Sequence, residues 1–307
     1  MPLEIRNFDP DEDLEQLRDL FNGHIGVLVP GWSLPGEFIA ARLKRNPDQY
    51  IVDPWVEYRR TVVGYKAGRL CAAAHILRYA QDSPGSGQWL LDWFLFWPEH
   101  QDVGERLLER RCSELSSQGV KEILLNQDLF VPVISGIPSC FPHIREVVEQ
   151  LGFSVDDSGS VEFIYGGLVP EPLEMPSPLN GLHLRRCMGD FGTRFVAVHN
   201  NKEIAECECV LDLSKGGDLP CMAGWAELTE VYTNEAWRNK GVGSWLVNHA
   251  VEWLRTGGYS RVMFCVAEED HAAGAGRFYE RFGWRQLFSV ARGHKWTMRA
   301  GDDAGGR

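Results

Sequence analysis

The 307-residue chain lacks any apolar run of the roughly 20 residues needed to cross a bilayer. Its opening, MPLEIRNFDPDED, is acidic and has none of the cationic-then-apolar layout of a signal peptide. Its eight cysteines include no CxxC pair, so neither zinc ligation nor a disulfide framework is expected. Cys207 and Cys209 alternate within an apolar run and would share one face of a strand as buried thiols. That usage suits a reducing cytoplasm. Positive charge is also scarce. A formal net charge of −12 argues against general nucleic-acid binding, which needs a cationic face. Neither GxxxxGK[ST] nor the three-glycine dinucleotide fingerprint occurs, which disfavours both of those nucleotide-binding families.

What is present is a globular composition, 44% hydrophobic and 24% charged, enough to build one large core or two ordinary ones. Alternating strands and helices read twice along it. In the first half, Leu3 to Phe8 predicts a strand, and Leu14, Leu17, Leu20 and Phe21 a helix. A second helix is expected over Pro35 to Lys44. Thr61 to Tyr79 predicts a hairpin turning at Ala67-Gly68, and Gln88 to Phe96 a strand. Val103 to Gln118 follows as a helix closed by Gly119, then a strand at Lys121 to Asn126 and a helix at Ile144 to Leu151.

The second half repeats that order. Leu182 to Arg185 echoes LEIR, a hairpin turns at Asn200-Asn201, and Trp225 to Thr233 is a strand. Val242 to Arg255 places Val242, Trp245, Leu246, Ala250, Val251 and Leu254 on one helical face. Arg261 to Val266 is a strand, Ala272 to Phe282 a helix, and two short strands end at Met298. GERLLERRCSEL from Gly104 parallels GSWLVNHAVEWL from Gly243, and EQLGF parallels ERFGW. The seam is LVPEPLEMPSP, whose four prolines cannot continue a helix or a central strand. The expected division is residues 1–170, a linker at 171–180, a second domain at 181–300 and a frayed tail at 301–307.

RNKGVGSWL, Arg238 to Leu246, sits where the helix should begin. A helix N-terminus leaves amide donors unpaired and carries partial positive charge, which suits a diphosphate. Gly241 and Gly243 permit close backbone approach by phosphate oxygens, and Arg238 and Lys240 add cations. The amides from Val242 through Gly243 and Ser244 to Trp245 can converge on such a ligand, with Asn239 in the same turn.

VYTNEAWRNKGVGSWL followed by HAAGAGRFYERFGW resembles the Gcn5-related N-acetyltransferase (GNAT) superfamily. The R/Q-x-x-G-x-G/A loop of that family falls on Arg238, Gly241 and Gly243. Its A-x-x-L/F-Y-E-x-x-G-F helix falls on Ala275, Phe278, Tyr279, Glu280, Gly283 and Trp284. The resemblance implies an α/β (α+β) fold of two tandem GNAT-like domains, each a mixed, mostly antiparallel twisted sheet flanked by helices. Paired domains with the chemistry in the second are similar in architecture to mycothiol synthase. The first copy looks degenerate. Aligning Gly104 with Gly243 puts Glu99 at the place of Arg238, Asp102 at that of Gly241 and Val148 at that of Tyr279. Two carboxylates there repel a diphosphate. The landmark glycines, 104 and 152, lie 48 positions apart, against 40 for 243 and 283, with a Pro-rich insertion accounting for the excess.

The resemblance implies an acyl-CoA-dependent N-acyltransferase that moves acetyl from acetyl-CoA to a primary amine by direct attack. Backbone at Val231, Tyr232 and Thr233 would polarise the thioester carbonyl. Tyr279 would protonate the departing thiolate. For the base, Glu227 and Glu230 flank the site on opposite strand faces, and Glu227 is preferred because it shares parity with Val231 and Thr233. The family often has Asn three residues before the helix alanine; here Ala272 stands there, beside His271 and Asp270. A non-catalytic acyl-CoA-binding or regulatory module is the alternative. Metal is not implied, and neither a nucleic-acid nor a membrane partner is expected. The amine acceptor is not readable, and either a monomer or a homodimer is compatible.

Overall fold

The computed structural model describes residues 3–44, 55–131, 133–155, 159–214 and 219–298. The expected tail at 301–307 lies outside them. The chain runs β1 (Leu3–Asn7), α1 (Pro10–Leu28), α2 (Gly36–Lys44), β2 (Val56–Lys66), β3 (Arg69–Tyr79), β4 (Trp89–Phe96), α3 (Gln101–Ser117), β5 (Glu122–Leu125), β6 (Ile137–Pro138), α4 (Pro142–Gln150), β7 (Phe153–Val155) and β8 (Val161–Leu168). It continues with β9 (Leu182–Met188), β10 (Thr193–His199), β11 (Lys202–Val210), β12 (Trp225–Thr233), α5 (Val242–Thr256), β13 (Arg261–Ala267), α6 (Glu268–Ala272), α7 (Ala275–Glu280), β14 (Arg285–Ala291) and β15 (His294–Thr297).

Local chemistry places most of these. Asp9 caps α1 by accepting from the Asp11 amide at 2.9 Å, and Pro10 fills the first helical position, where no donor is needed. Ala67 and Gly68 both take positive φ, the twist that joins β2 to β3 in a two-residue hairpin. Asn200 and Asn201 do the same between β10 and β11. Cys207 and Cys209 are buried side by side in strand positions of like parity, as expected. One expected helix is interrupted. Gly274 takes φ +101°, and the segment read as Ala272 to Phe282 becomes the two short helices α6 and α7.

Two compact units result: residues 1–162 with 288–307, and Phe163–Leu287. In the first, strands follow the order β1-β2-β3-β4-β5-β15-β7, antiparallel except for the parallel pair β4–β5. In the second the order is β14-β8-β13-β12-β11-β10-β9, with antiparallel pairing from β9 to β12 and a parallel β12–β13 pair. The units therefore cut across sequence order. β15, from the end of the chain, pairs with β5 and β7 in the first sheet, and β8, from before the proline seam, is an inner strand of the second. The seam itself packs on α5. Asn248 accepts from the Leu173 amide and donates to the Leu173 carbonyl, both at 2.8 Å, replacing the ladder that prolines forbid.

The second unit's core joins Phe195, Cys207, Cys209, Ala226 and Leu228 of the sheet to Trp245, Leu246, Val247, Ala250, Val251 and Leu254 of α5. Tyr279, Phe264 and Trp284 belong to the same cluster. Strand residues of opposite parity, among them Glu208 and Glu227, face the other way.

Candidate functional site

The site begins with an irregularity in β12. Glu208 of β11 lies opposite Thr229 and Glu206 opposite Tyr232, so Cys207 alone faces both Glu230 and Val231. This is a β-bulge, and Glu230 takes its left-handed backbone, φ +49°. On the other edge, β12 pairs with β13 only at Trp225–Arg261, Ala226–Val262 and Glu227–Met263, although β13 continues to Ala267. The strands part beyond Glu227, and the backbone at Glu230 to Thr233 faces a widening gap on that edge.

The bulge corrects one expectation. Inserting a residue reverses parity, so Glu227 does not share a face with Val231 and Thr233. Val231 packs against the α5-side core, and Thr233 Oγ1 lies where a side chain on Gly243 would meet it, at 3.2 Å. Glu227 points to the opposite face, with Val210 and Met263 as its strand-paired neighbours. Burial alone pushes its carboxyl up to about 7, and no hydrogen bond or ion pair among the described residues holds it ionised. Glu230, the other candidate, is exposed on the bulge, as is Tyr232.

From Thr233 the chain turns through Asn234, whose side chain accepts from the Ala236 amide at 3.2 Å, and through Trp237. Arg238 donates from Nε to the Thr233 carbonyl at 3.1 Å, so its guanidinium is anchored at the strand end. Lys240 sits 4.8 Å above the Trp237 ring, whose own edge-on neighbour is His199 at 4.9 Å. Asn239 and Gly241 adopt positive φ, +60° and +81°. Gly241 is the N-cap of α5, and the Trp245 amide donates to its carbonyl at 3.0 Å. The amides of Val242, Gly243 and Ser244 precede the first intrahelical bond and have no acceptor within the helix. Arg238, Asn239, Lys240 and Gly241 are exposed, Gly243 and Ser244 half-buried, and Val242 buried. The two glycines serve different ends. Gly241 supplies a left-handed backbone, and Gly243 keeps the first turn of α5 clear beside Thr233 and the Phe278 ring, which a Cβ would meet at 3.8 Å.

Phe278 thus brings α7 against the start of α5, and Tyr279 follows it into the core. Tyr279 is 8% exposed, ringed by Phe264 at 4.4 Å, Phe278 at 5.0 Å and Tyr165 at 6.1 Å. Burial pushes its phenol above the ordinary value, and its hydroxyl has no hydrogen-bond partner among the described residues. Of the two groups beside the missing Asn, His271 stacks on Phe163 at 3.8 Å, which is a packing position.

The expected ligand residues therefore form one continuous strand end, turn and helix start, with Tyr279 on the α5 side of the sheet and Glu227 on the reverse. Amides free of intrahelical acceptors, two flanking cations and a glycine-cleared first turn fit an extended diphosphate ester lying along the parted strands. Among the described residues no group of three or more His, Cys, Asp or Glu is placed to hold a metal ion, and no helix is long and apolar enough to cross a membrane.

Residues 168–284 match the model of the "Acetyltransferase (GNAT) family". No curated protein matches the chain. Among solved structures, a GCN5-related N-acetyltransferase from Sphaerobacter thermophilus superposes with TM-score 0.60 at 14% identity, over 97% of this chain and 96% of that one. A tandem GNAT protein from the clavulanic acid biosynthesis pathway gives 0.58 at 15%, over 98% and 99%. A GCN5-related glucosamine N-acetyltransferase region of a fungal multi-domain GH3 β-N-acetylglucosaminidase gives 0.60 at 16% identity; 95% of this chain is covered, and it spans 38% of that protein. At such identities the likeness establishes a shared fold, two GNAT-like domains in tandem.

Proposed function

We propose, from the match of residues 168–284 to the acetyltransferase (GNAT) family model, that the second unit transfers an acyl group, acetyl by preference, from acyl-CoA to a primary amine. The observation that carries this reading is the turn from Arg238 to Ser244, where left-handed Gly241 presents three amides without intrahelical acceptors beside two cations. That turn would hold the pyrophosphate of the carrier. The carrier supplies the acyl group as a thioester, and its C–S bond breaks as the acceptor's C–N bond forms.

The chain's own groups supply the rest. Backbone N–H groups at Val231 to Thr233, on the edge where β12 leaves β13, would stabilise charge building on the carbonyl oxygen. An alkyl ammonium with an ordinary pKa near 10.4 lies about 4–5 kcal/mol from its neutral form at pH 7. Glu227, held at about 7 on the reverse face, is matched to accept that proton at neutral pH. Glu230, solvated on the bulge, is the weaker candidate. Tyr279 would return a proton to the departing thiolate; its raised pKa keeps the hydroxyl protonated across the physiological range.

One observation favours the second reading, an acyl-CoA-binding module without turnover: the Tyr279 ring packs among aromatic rings, and its hydroxyl makes no hydrogen bond among the described residues. Calorimetry of the whole chain with acetyl-CoA, followed by free-thiol release across a panel of small amines, peptides and amino sugars, decides between them. Binding with amine-dependent release is the expected result. Binding without release supports the module, and absence of any heat overturns both.

A further inference from the structure

In the first unit the ladder between the corresponding strands, β4 and β5, also ends early, and the chain beyond it is bridged from within. In the second unit the last parallel pair is Glu227 with Met263, and two residues further along β13 stands Cys265. In the first unit the last pair is Leu91 with Leu125, and two residues further stands Gln127. Gln127 is fully buried, with a left-handed backbone at φ +52°. Its side-chain oxygen accepts from the Phe94 amide at 3.2 Å, and its NH2 donates to the Phe94 carbonyl at 3.0 Å. Phe94 lies three residues after Leu91, as Glu230 of the bulge lies three after Glu227.

The seam stays closed on either side of that amide. The Asn126 amide donates to the Leu91 carbonyl at 3.0 Å and the Asp128 amide to the Asp92 carbonyl at 2.7 Å. Further along β4, His24 of α1 meets His143 of α4, Nε2 to Nε2 at 3.3 Å, against the Phe96 ring. At the start of α3 the two carboxylates expected to repel phosphate are themselves paired with cations, Asp102 with Lys66 at 2.7 Å and Glu99 with Arg69 at 3.4 Å.

We propose that Gln127 is a built-in occupant of the first unit's groove. Its primary amide would hold the strand-edge position that an amide of the carrier's arm would occupy in the second unit, so that each chain would bind one acyl-CoA. The backbone donor and acceptor of Phe94 are the reason: a buried strand edge must pair both, and an amide does so from a side chain as well as from a ligand. The assignment of the second-unit site rests on the function proposed above; the plug itself does not.

Two arms test it. In Gln127→Leu, of similar volume, hydrogen exchange at the Phe94 amide should accelerate about ten- to a hundredfold; unchanged protection would overturn the plug whether or not any ligand binds. In calorimetry with acetyl-CoA the whole chain should show one site, lost in Gly241→Asp. Transplanting the plug, Cys265→Gln, should weaken affinity at least about tenfold with the far-ultraviolet circular dichroism unchanged. Two sites in the wild type, or one persisting in Gly241→Asp, would overturn the proposal. A wild type that binds nothing would sink the proposed function, and the exchange arm would still decide this one.

Discussion

Replacing Glu227 by glutamine separates the carboxyl's charge from its volume. Burial raises this carboxyl from its ordinary 4.5 to about 7 in the folded chain. Between those values the native state holds a proton that the unfolded state releases, so stability falls as pH rises through the window. Above 7 the whole cost of the buried charge is present, at most about 3 kcal/mol and less in proportion to the water that reaches the group. A neutral amide at this position would carry no such cost. Glu227→Gln should therefore match the wild type in thermal stability near pH 4 and exceed it at pH 8, by several degrees at about 2–4 °C per kcal/mol for a unit of this size.

Activity should move the other way. A base that titrates at about 7 is roughly nine-tenths ionised at pH 8 and one-tenth ionised at pH 6. With an acceptor amine whose own pKa is below about 6, wild-type kcat/KM should drop about tenfold between those pH values. The variant should be flat across that range and about 10²- to 10⁴-fold slower at pH 8. Thiol release measured across pH, beside melting curves in the same buffers, reads both. A variant that kept the wild-type acid limb would assign the base elsewhere. One that gained no stability at pH 8 would show that the carboxyl is not held in the desolvated position described.

Other outcomes follow from the same geometry. Tyr279→Phe should lower turnover about ten- to a hundredfold while leaving the Kd for acetyl-CoA nearly unchanged; equal turnover would reduce the ring to packing against Phe264 and Tyr165. Arg238→Ala and Lys240→Ala should each weaken acetyl-CoA binding about tenfold and flatten its dependence on salt; an affinity insensitive to both would remove the phosphate from this turn. A fragment beginning at Pro178 should fail to fold, because it lacks β8, an inner strand of the second unit. A fragment of Val161–Ala291 retains β8 and β14 whole and should show a cooperative melt; a folded, acetylating 178–307 fragment would refute that account.

What could be read from the residues alone was whatever short-range rules dictate. The glycine-bearing helix start, the hairpins at Ala67-Gly68 and Asn200-Asn201, and the strand Trp225–Thr233 each depend on a few neighbouring side chains. The residues from Arg238 to Ser244 form the turn and helix start expected of them, since a helix N-terminus positions its own amides. Three features escaped because pairing between distant strands decides them. Nothing in TEVYT marks a bulge, yet the register against β11 inserts one at Glu230 and turns Glu227 to the other face. β8 and β15 carry ordinary strand sequences, and only their partners reveal that each sheet takes a strand from across the proline seam. Gln127 reads as a polar residue after a strand.

The first unit shows what the second must leave open. Both copies end the ladder between the same two strands early, and a buried edge carrying an unpaired N–H and C=O costs several kcal/mol unless something fills it. The first copy has met that requirement with Gln127 and a seam of backbone bonds, and it has matched its helix-start carboxylates with Lys66 and Arg69. The second copy has Cys265 at that position and its bulge at Glu230, three residues past the last parallel pair, whereas the first copy's bulge, at Asp92, directly follows its last pair. Its Arg238 and Lys240 join no ion pair among the described residues, being held instead by the Thr233 carbonyl and the Trp237 ring. Like strand order with different pairing of polar groups is what the proposal of a ligand in the second copy rests on.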